Sequence, residues 1–214
     1  MELSLTGVTA APARSARKPK GEGHSRRAEI LAAAERIFVE YGYEGATIRK
    51  IAEEVGLSST ALYMHFAEKS EILYEICRNA FDELSRDHRL VLAEDAPPDV
   101  RLRRMIESYI AFGFEHPNAY RLIYLTRPSE AREGAETAAQ ELGGDLFREF
   151  QSQFEELAAQ GRLNHDPAAA AQVLWSGAHG LVSLMITKPY FDWADRDVMT
   201  RMLLDSLFEG LIRS

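Results

Sequence analysis

The 214-residue sequence predicts an all-α protein with a small N-terminal helical unit and a larger helical body. Apolar residues recur at intervals of three and four along most of the chain, and no segment shows the strict alternation of a strand. Capping residues, prolines and glycines separate these periodic segments, as at Asp166-Pro167. The hydrophobic fraction of 46% can fill a core, and the single Cys77 excludes an internal disulfide framework.

Residues 1–24 are rich in Ala, Pro, Gly and Arg and have no helical period, which predicts a disordered arm. The apolar start is too short and too broken for a signal peptide. Two interpretations of the arm stay open. Its basic residues lie along DNA phosphates or enter a minor groove, or the arm only keeps the chain in solution. These basic residues are Arg14, Arg17, Lys18 and Lys20.

The net charge of −8 is unevenly distributed along the chain. Residues 1–70 carry 10 Lys and Arg against 9 Asp and Glu, whereas residues 71–214 carry 15 against 24. A positive field is therefore confined to the N-terminal end, and an acidic body would be held away from a polyanion. This distribution is compatible with nucleic-acid binding but does not demand it.

Residues 25–70 are predicted to form a three-helix head. The first helix runs from Ser25 to Tyr41. Thr47 is a plausible N-cap of a second helix, and Gly56 ends that helix because glycine accepts the left-handed conformation. Ser58 caps a third helix that continues through Phe66. The apolar positions that define the second and third helices are Ile48, Ile51, Ala52, Val55, Leu62 and Phe66.

The second and third helices and their three-residue turn have the pattern of a helix-turn-helix. The residues off the apolar face of the third helix are Ser59, Thr60, Tyr63, Met64 and His65. A major groove about 12 Å wide admits one helix, whose short polar side chains reach base edges and phosphates. The competing interpretation is a small helical hairpin with a solvated face.

The head resembles the DNA-binding signature of the tetracycline-repressor (TetR) family of transcriptional regulators. The matching residues are Thr47, Ile51-Ala52, Val55-Gly56-Leu57-Ser58, Leu62-Tyr63, His65-Phe66 and Lys69. Glu68 departs from the pattern, which usually has a Ser or Thr cap there. The resemblance implies that Thr47, Tyr63, His65 and Lys69 contact phosphates and that Ser59, Thr60 and Met64 face bases. The full predicted DNA-binding set is Thr47, Ser58, Ser59, Thr60, Tyr63, Met64, His65 and Lys69.

Residues 71–214 are predicted to form a six-helix body for effector binding and dimerisation. A long helix from Ser70 to Leu92 connects the head to this body without an internal glycine or proline. A helix over Asp99–Phe114 ends at His116-Pro117. A short helix over 118–126, a loop over 127–134 and a helix reaching Gln160 follow, and Gly161 ends the last of these.

A helix over 167–187 and a last helix over 193–212 are predicted to form the dimer interface. The 20 residues 168–187 contain no charged side chain, yet Gln172, Ser176, His179 and Ser183 form one polar stripe. This pattern favours a buried helix that shows polar atoms to a cavity over a membrane span. Asp192 or Asp195 caps the last helix, whose apolar residues cover more than half of its circumference. Together the two helices predict an isologous four-helix contact in a homodimer.

Trp175 followed by His179-Gly180 is similar to the Trp-His-Gly signature of one C-terminal domain type in TetR-like regulators. That type is all-helical, dimerises and is thought to take small ligands. Pockets are mostly apolar with a few orienting polar groups, and the aromatic side chains of the body have this character, although core packing is the competing interpretation for each. The predicted effector-binding residues are Tyr109, Phe112, Tyr120, Tyr124, Phe147, Phe150, Trp175 and His179.

Catalytic and metal-binding motifs are missing from the sequence. It has no phosphate-cradling loop, no Gly-x-Ser-x-Gly elbow and no His-Glu-x-x-His, and its six histidines are scattered. We therefore expect no enzyme activity, no cofactor and no metal.

The sequence predicts a cytoplasmic homodimeric regulator, a repressor that a small-molecule effector releases from a pseudo-palindromic DNA operator. Two alternatives stay open: a helical dimer that binds or converts a small molecule without operator recognition, and a non-specific DNA coater.

Overall fold

The computed structural model describes residues 23–125 and 134–213, and these residues form nine α-helices. Of the predicted arm at 1–24 and the predicted loop at 127–134, residues 1–22 and 127–133 lie outside the described residues, as does the last residue of the predicted helix at 118–126; Gly23, His24 and Gly134 lie in helices. The all-α prediction is confirmed; within the described residues, the β-type pairing is one isolated bridge between Leu163 and Ile212. The helices are α1 (Gly23–Gly45), α2 (Ile48–Glu54), α3 (Ser59–Tyr63), α4 (Lys69–Leu92), α5 (Pro98–Glu115), α6 (Pro117–Tyr120), α7 (Gly134–Ala159), α8 (Pro167–Thr187) and α9 (Arg196–Leu211).

Helices α1 to α3 and the first turns of α4 enclose the core of the head. Helix α1 passes its predicted end by kinking at Gly42, whose φ of 68° and ψ of 167° suit glycine. The predicted caps of α2 and α3 are present. The Thr47 hydroxyl accepts a hydrogen bond from the Lys50 amide, and the Ser58 hydroxyl accepts one from the Ala61 amide. The core of the head contains Ile30, Ala34, Ile37, Phe38, Tyr43, Ala46, Ile51, Ala52, Leu62, Phe66, Ile72, Leu73, Ile76, Cys77 and Leu122.

Helix α3 is shorter than predicted, because it ends at Tyr63 and not at Phe66. The His65 amide donates a hydrogen bond of 2.8 Å to the Leu62 carbonyl, three residues earlier. This tightened turn ends the helix and still leaves Phe66 buried beside Leu62.

Helix α4 begins without a side-chain cap from Glu68. The Glu71 carboxylate instead accepts a hydrogen bond of 2.8 Å from the Ala67 amide. A carboxylate in the first turn of a helix also opposes the positive end of the helix dipole. These contacts show how the departure at Glu68 is accommodated.

Helices α4 to α9 form the body around a second core. Helix α4 contributes to both cores, with Ile72 and Leu73 in the head and Phe81 and Leu84 in the body. Helix α6 continues as a π-helical turn over Arg121–Leu125. The turn replaces the predicted α-helix at 121–125.

Helix α8 packs against α5, α7 and α9. By length and composition it is the one described helix that could cross a membrane. The predicted polar stripe is wrong in part, because Gln172 and Ser176 are exposed and do not face a cavity. Ser183 bonds the Gly180 carbonyl of its own helix, and His179 alone of the four contacts polar groups of the body. A polar periodicity identifies a face but not the element that covers it.

Helix α9 begins at Arg196 with Asp195 as its N-cap, and the Asp195 carboxylate accepts from two amides at 3.0 Å. Only Leu204 and Leu211 of this helix are buried. Two of its apolar side chains face outward, since Val198 is 38% and Met202 67% exposed. One face of α9 therefore remains uncovered in the single chain.

Candidate functional site

Three side chains on α3 and at its end form an open surface, which we call the reading surface: Thr60, Tyr63 and Met64. Tyr63 is 54% and Met64 83% exposed, while Leu62 is wholly buried beneath them. Thr60 is exposed, whereas Ser59 and His65 are half-buried. A helix with one residue in the core and an outward row of polar and long side chains can enter a groove.

The first turn of α2 lies beside this surface and adds a cation that the sequence analysis did not select. The Arg49 side chain is 81% exposed and pairs with Glu53 one turn later at 3.2 Å. Thr47 is exposed, but its hydroxyl accepts from the Lys50 amide at 3.2 Å. The signal for Arg49 was its position two residues after the cap, where a side chain can reach a phosphate.

Lys69 is held inside the head. Its ammonium group donates to the carbonyls of Tyr43 and Ala46, the latter at 3.0 Å, and lies 4.1 Å from the centre of the Tyr43 ring. Burial lowers the pKa of Lys69, and the carboxylate of Glu44 partly opposes this effect. These contacts fasten the turn between α1 and α2 to the start of α4, so the geometry favours a structural role over the predicted phosphate contact.

Arg27 connects three parts of the head. Its guanidinium makes hydrogen bonds to the carboxylate of Glu75 on α4, two of them at 2.9 and 3.0 Å, and donates to the His65 carbonyl just after α3. The same group lies 4.0 Å from the centre of the Phe66 ring. The hydrogen bond to Glu75 is the main cause that raises the pKa of Arg27. This arrangement ties the orientation of α3 to that of α4.

A cavity of about 250 Å³ lies in the body between α4, α5, α7, α8 and the π-helical turn. Five of the eight predicted effector-binding residues line it: Tyr109, Tyr124, Phe147, Phe150 and Trp175. The lining residues that sequence reasoning missed are Phe81, His88, Met105, Ile106, Ile123, Gly143 and Leu146. Helical spacing predicts that these residues face inward, but it does not predict that they surround one cavity.

The other three predicted residues do not line this cavity. Phe112 packs against the ring of His116, with the ring centres 5.1 Å apart, and borders a smaller cleft of about 130 Å³. Tyr120 is wholly buried, and its hydroxyl lies 2.7 Å from Nδ1 of His179 and 2.9 Å from the hydroxyl of Tyr109. Burial lowers the pKa of His179 and raises that of Tyr120. The hydrogen-bonded group of Tyr109, Tyr120 and His179 braces α5 and α6 against α8.

His88 is the polar residue of the cavity wall whose bonding capacity is unused. It is only 4% exposed, and neither ring nitrogen has a hydrogen-bond partner among the residues that the structure describes. Burial lowers the pKa of His88 to about 4, an effect that the Met105 backbone and Asp87 offset only in part. The ring is therefore uncharged at neutral pH.

Two elements connect the cavity wall directly to the head. Helix α4 carries Phe81 and His88 in the wall and Leu73 in the core of the head. The π-helical turn places Leu122 in the core of the head and the next residue, Ile123, in the wall. π-Helical turns are rare and are often found at functional sites.

Among the described residues, no three His, Cys, Asp or Glu side chains lie close enough to hold a metal ion. The site consists of an outward helix and an apolar cavity.

Comparison with known proteins assigns both regions. Residues 30–76 match the family described as "Bacterial regulatory proteins, tetR family", and residues 102–207 match "Tetracyclin repressor-like, C-terminal domain". The HTH-type transcriptional activator FasR of Mycolicibacterium smegmatis is 34% identical over 122 residues, which cover 55% of this chain and 54% of FasR. The HTH-type transcriptional repressor KstR2 of Mycobacterium tuberculosis is 36% identical over 104 residues, 49% of this chain and 52% of KstR2. The chain thus spans about half the length of the curated relatives it matches.

Solved structures match over more of the chain. The TetR family transcriptional regulator PfmR from Thermus thermophilus is 26% identical, with a TM-score of 0.72 over 88% of this chain and 98% of PfmR. AibR, solved in complex with isovaleryl coenzyme A and operator DNA, has a TM-score of 0.72 at 21% identity over 86% of this chain and 98% of AibR, and shows the same fold. The two family matches lie on the head and on the body, and together they span most of the sequence. The chain belongs to the TetR family of helix-turn-helix transcriptional regulators.

Proposed function

We propose that this protein is a homodimeric repressor that binds a pseudo-palindromic DNA operator through its heads and leaves it when a small molecule enters the cavity of the body. The observation that carries the proposal is that one helix, α4, links the region beneath the reading surface to the cavity. Helix α4 contributes to the core beneath the reading surface and also to the wall of the apolar cavity. Because its proposed target is operator DNA, the proposed location of the protein is the cytoplasm.

The reading surface supports the DNA-binding part of the proposal. Thr60 and Met64 point away from the core and suit contacts with base edges, whereas the hydroxyl of Tyr63 suits a phosphate. Thr47 and Arg49 lie at the start of α2 and suit phosphate contacts beside the same groove. The Ser58 hydroxyl serves chiefly as the cap of α3, because it accepts from the Ala61 amide at 3.1 Å.

The uncovered faces of α8 and α9 support the dimer. Val173 and Leu184 of α8 are 47% and 49% exposed, and Met202 of α9 is 67% exposed. A β-carbon at Gly180 would meet nothing within 4 Å, so another helix can approach closely there. Two helices from each of two copies would cover this apolar surface in an isologous interface.

Solution mass tests the dimer. We expect the parent protein to have twice the mass of one chain in light scattering, and Met202→Glu to shift it towards the monomer because a carboxylate would be buried in the interface. Leu90→Glu is the matched control, since Leu90 is 65% exposed on α4, outside the proposed contact. A monomeric parent protein, or a dimer unaffected by Met202→Glu, contradicts the proposed interface.

The wall residues support control by a ligand. Their aromatic and aliphatic side chains suit an apolar molecule, and AibR offers an example in which this fold was solved with isovaleryl coenzyme A and operator DNA. A cavity of about 250 Å³ would hold only part of so large a ligand. The sequence Trp175 to Gly180 supports assignment of the body to the Trp-His-Gly type.

Release requires that the ligand prefer one conformation of the dimer. In a dimer, the two α3 helices must lie about 34–36 Å apart to occupy successive major grooves. A ligand that displaces α4 or Ile123 alters this separation through the core of the head. FasR is an activator and KstR2 a repressor, so repression is the specific choice that our proposal makes.

DNA binding is tested on fragments selected from the source genome by the protein itself. We expect Tyr63→Ala to weaken binding of such a fragment at least tenfold, the size expected for one lost direct contact. Tyr41→Ala is the control, because Tyr41 is 48% exposed in the same head but lies on α1. Equal affinity for all sequences at fixed salt would favour a non-specific DNA coater, and no DNA affinity would favour a small-molecule binder.

A further inference from the structure

His88 is an unusual component of an apolar wall. A buried imidazole normally has partners for its nitrogens, because leaving them unpaired costs free energy. Here neither nitrogen makes a hydrogen bond of normal geometry among the described residues, although the Met105 backbone lies close enough to raise the pKa of the ring, and the ring borders the cavity. At least one ring nitrogen is therefore available to whatever occupies that space.

The rest of the wall restricts the charge of the occupant. Among the described residues, no Lys, Arg, Asp or Glu lines the cavity. A carboxylate or an ammonium group would lose its hydration there without gaining an opposite charge. Of the other polar side chains in the wall, Tyr109 already shares its hydroxyl with Tyr120 and His179.

We infer that the cavity takes an uncharged, mostly apolar molecule, or the uncharged apolar part of a larger one, whose hydroxyl or carbonyl group forms a hydrogen bond with His88. This inference rests on the proposed effector function and names the chemical class of the effector. A neutral imidazole has one donor and one acceptor nitrogen, so it can bond either group.

The size of the cavity limits the occupant further. A cavity of 150 Å³ is known to hold benzene, so about 250 Å³ has room for roughly ten non-hydrogen atoms. Flat rings suit the aromatic wall, in which the rings of Phe147 and Trp175 lie 5.6 Å apart between centres. His88 would then select among apolar molecules of similar size.

Calorimetric titration with three matched probes tests the inference. The probes are 2-naphthol, naphthalene and 2-naphthoate, which carry a hydroxyl, no polar group and a carboxylate on the same rings. We expect the parent protein to bind 2-naphthol about tenfold more tightly than either of the others, the factor that one satisfied buried hydrogen bond supplies. The ¹⁵N resonances of the His88 ring should shift with 2-naphthol and not with naphthalene.

The variant His88→Phe should bind naphthalene as before and lose the tenfold preference for 2-naphthol. His116→Phe is the matched control, because His116 lies in the body outside the cavity wall, and it should keep the preference. His88→Leu serves if the phenylalanine variant does not fold. The ¹⁵N measurement on the parent protein needs no variant.

Three outcomes overturn the inference: a preference unchanged in His88→Phe, tightest binding of 2-naphthoate, or no binding of any probe. Operator binding is measured separately. If the fragments bind DNA but no probe enters, the ligand class is wrong while the DNA-binding function stands. If 2-naphthol binds through His88 without any effect on DNA binding, the ligand class stands while ligand control of the operator fails.

Discussion

The substitution Gly113→Ala would test a close helix contact in the body. Gly113 lies on α5 where α8 crosses it, and an added β-carbon would lie 2.4 Å from Cγ1 of Val182 and 3.0 and 3.1 Å from two ring carbons of Tyr120. Carbon atoms in favourable contact are about 3.5–4.0 Å apart. The neighbours would therefore have to retreat by roughly 1 Å or more.

The free energy of unfolding should fall by about 1–3 kcal/mol. Val182 is wholly buried and β-branched, so it cannot turn away cheaply and α8 must move. Overpacking of this kind costs about 1–3 kcal/mol, and the better helix propensity of alanine returns up to about 1 kcal/mol. Displacement of Tyr120 would also weaken its 2.7 Å hydrogen bond to His179, at a cost of about 1 kcal/mol.

Guanidinium unfolding at a fixed protein concentration measures this change, because dimerisation makes stability depend on concentration. Gly144→Ala is the control in α7, where the nearest atom is the flexible tip of Arg148 at 3.4 Å. That variant should be more stable than the parent by up to about 1 kcal/mol. If both variants prove equally stable, the argued contact between α5 and α8 is incorrect.

Three further perturbations have definite expected outcomes. Ser58→Ala removes the cap of α3 and should cost about 1 kcal/mol in chemical unfolding and weaken DNA binding, whereas Ser59→Ala leaves the cap in place. Because the folded-state pKa of His88 is about 4 against the ordinary 6.5, the unfolded chain binds more protons between these values. Stability should therefore fall by up to about 3 kcal/mol as the pH drops from 6.5 to 4, and His88→Phe should remove this contribution. Burial raises the pKa of Cys77 to about 12, so a thiol reagent should modify Cys77 slowly in the native protein and fast in the unfolded chain. Fast modification of the native protein would contradict the burial of Cys77.

Local sequence signals were sufficient for most helix limits. Thr47, Ser58 and Asp166 cap their helices as predicted, and Gly56 and Gly161 have the positive φ of 66° and 68° expected after a helix end. Helix caps and terminal glycines depend on a few neighbouring residues, so they can be predicted from the sequence. Membership of a family of transcriptional regulators also confirms that the chain is a regulator and not an enzyme.

The candidate site was harder to predict, because it depends on how helices pack. Tyr120 and Tyr124 are four residues apart and equally aromatic, yet the structure places Tyr124 in the cavity wall and Tyr120 in a buried hydrogen-bonded group. The π-helical turn over Arg121–Leu125, which contains Ile123 and Tyr124, has no clear sequence signature. Likewise, nothing near Lys69 in the sequence indicates that its ammonium group faces the carbonyls of Tyr43 and Ala46, more than 20 residues earlier at the end of α1.

The structure suggests how a small ligand could act on a distant groove. Helix α4 has 24 residues and is about 36 Å long, so a tilt of about 5° about its far end would displace its first turn by about 3 Å. Hydrogen bonds to base edges tolerate only a few tenths of an ångström. Arg27 joins α4 to the end of α3, so the reading surface would follow this displacement and would not absorb it. A contact at His88, close to the C-terminal end of α4, is therefore well placed to alter the separation of the two heads, provided that the ligand prefers the tilted state.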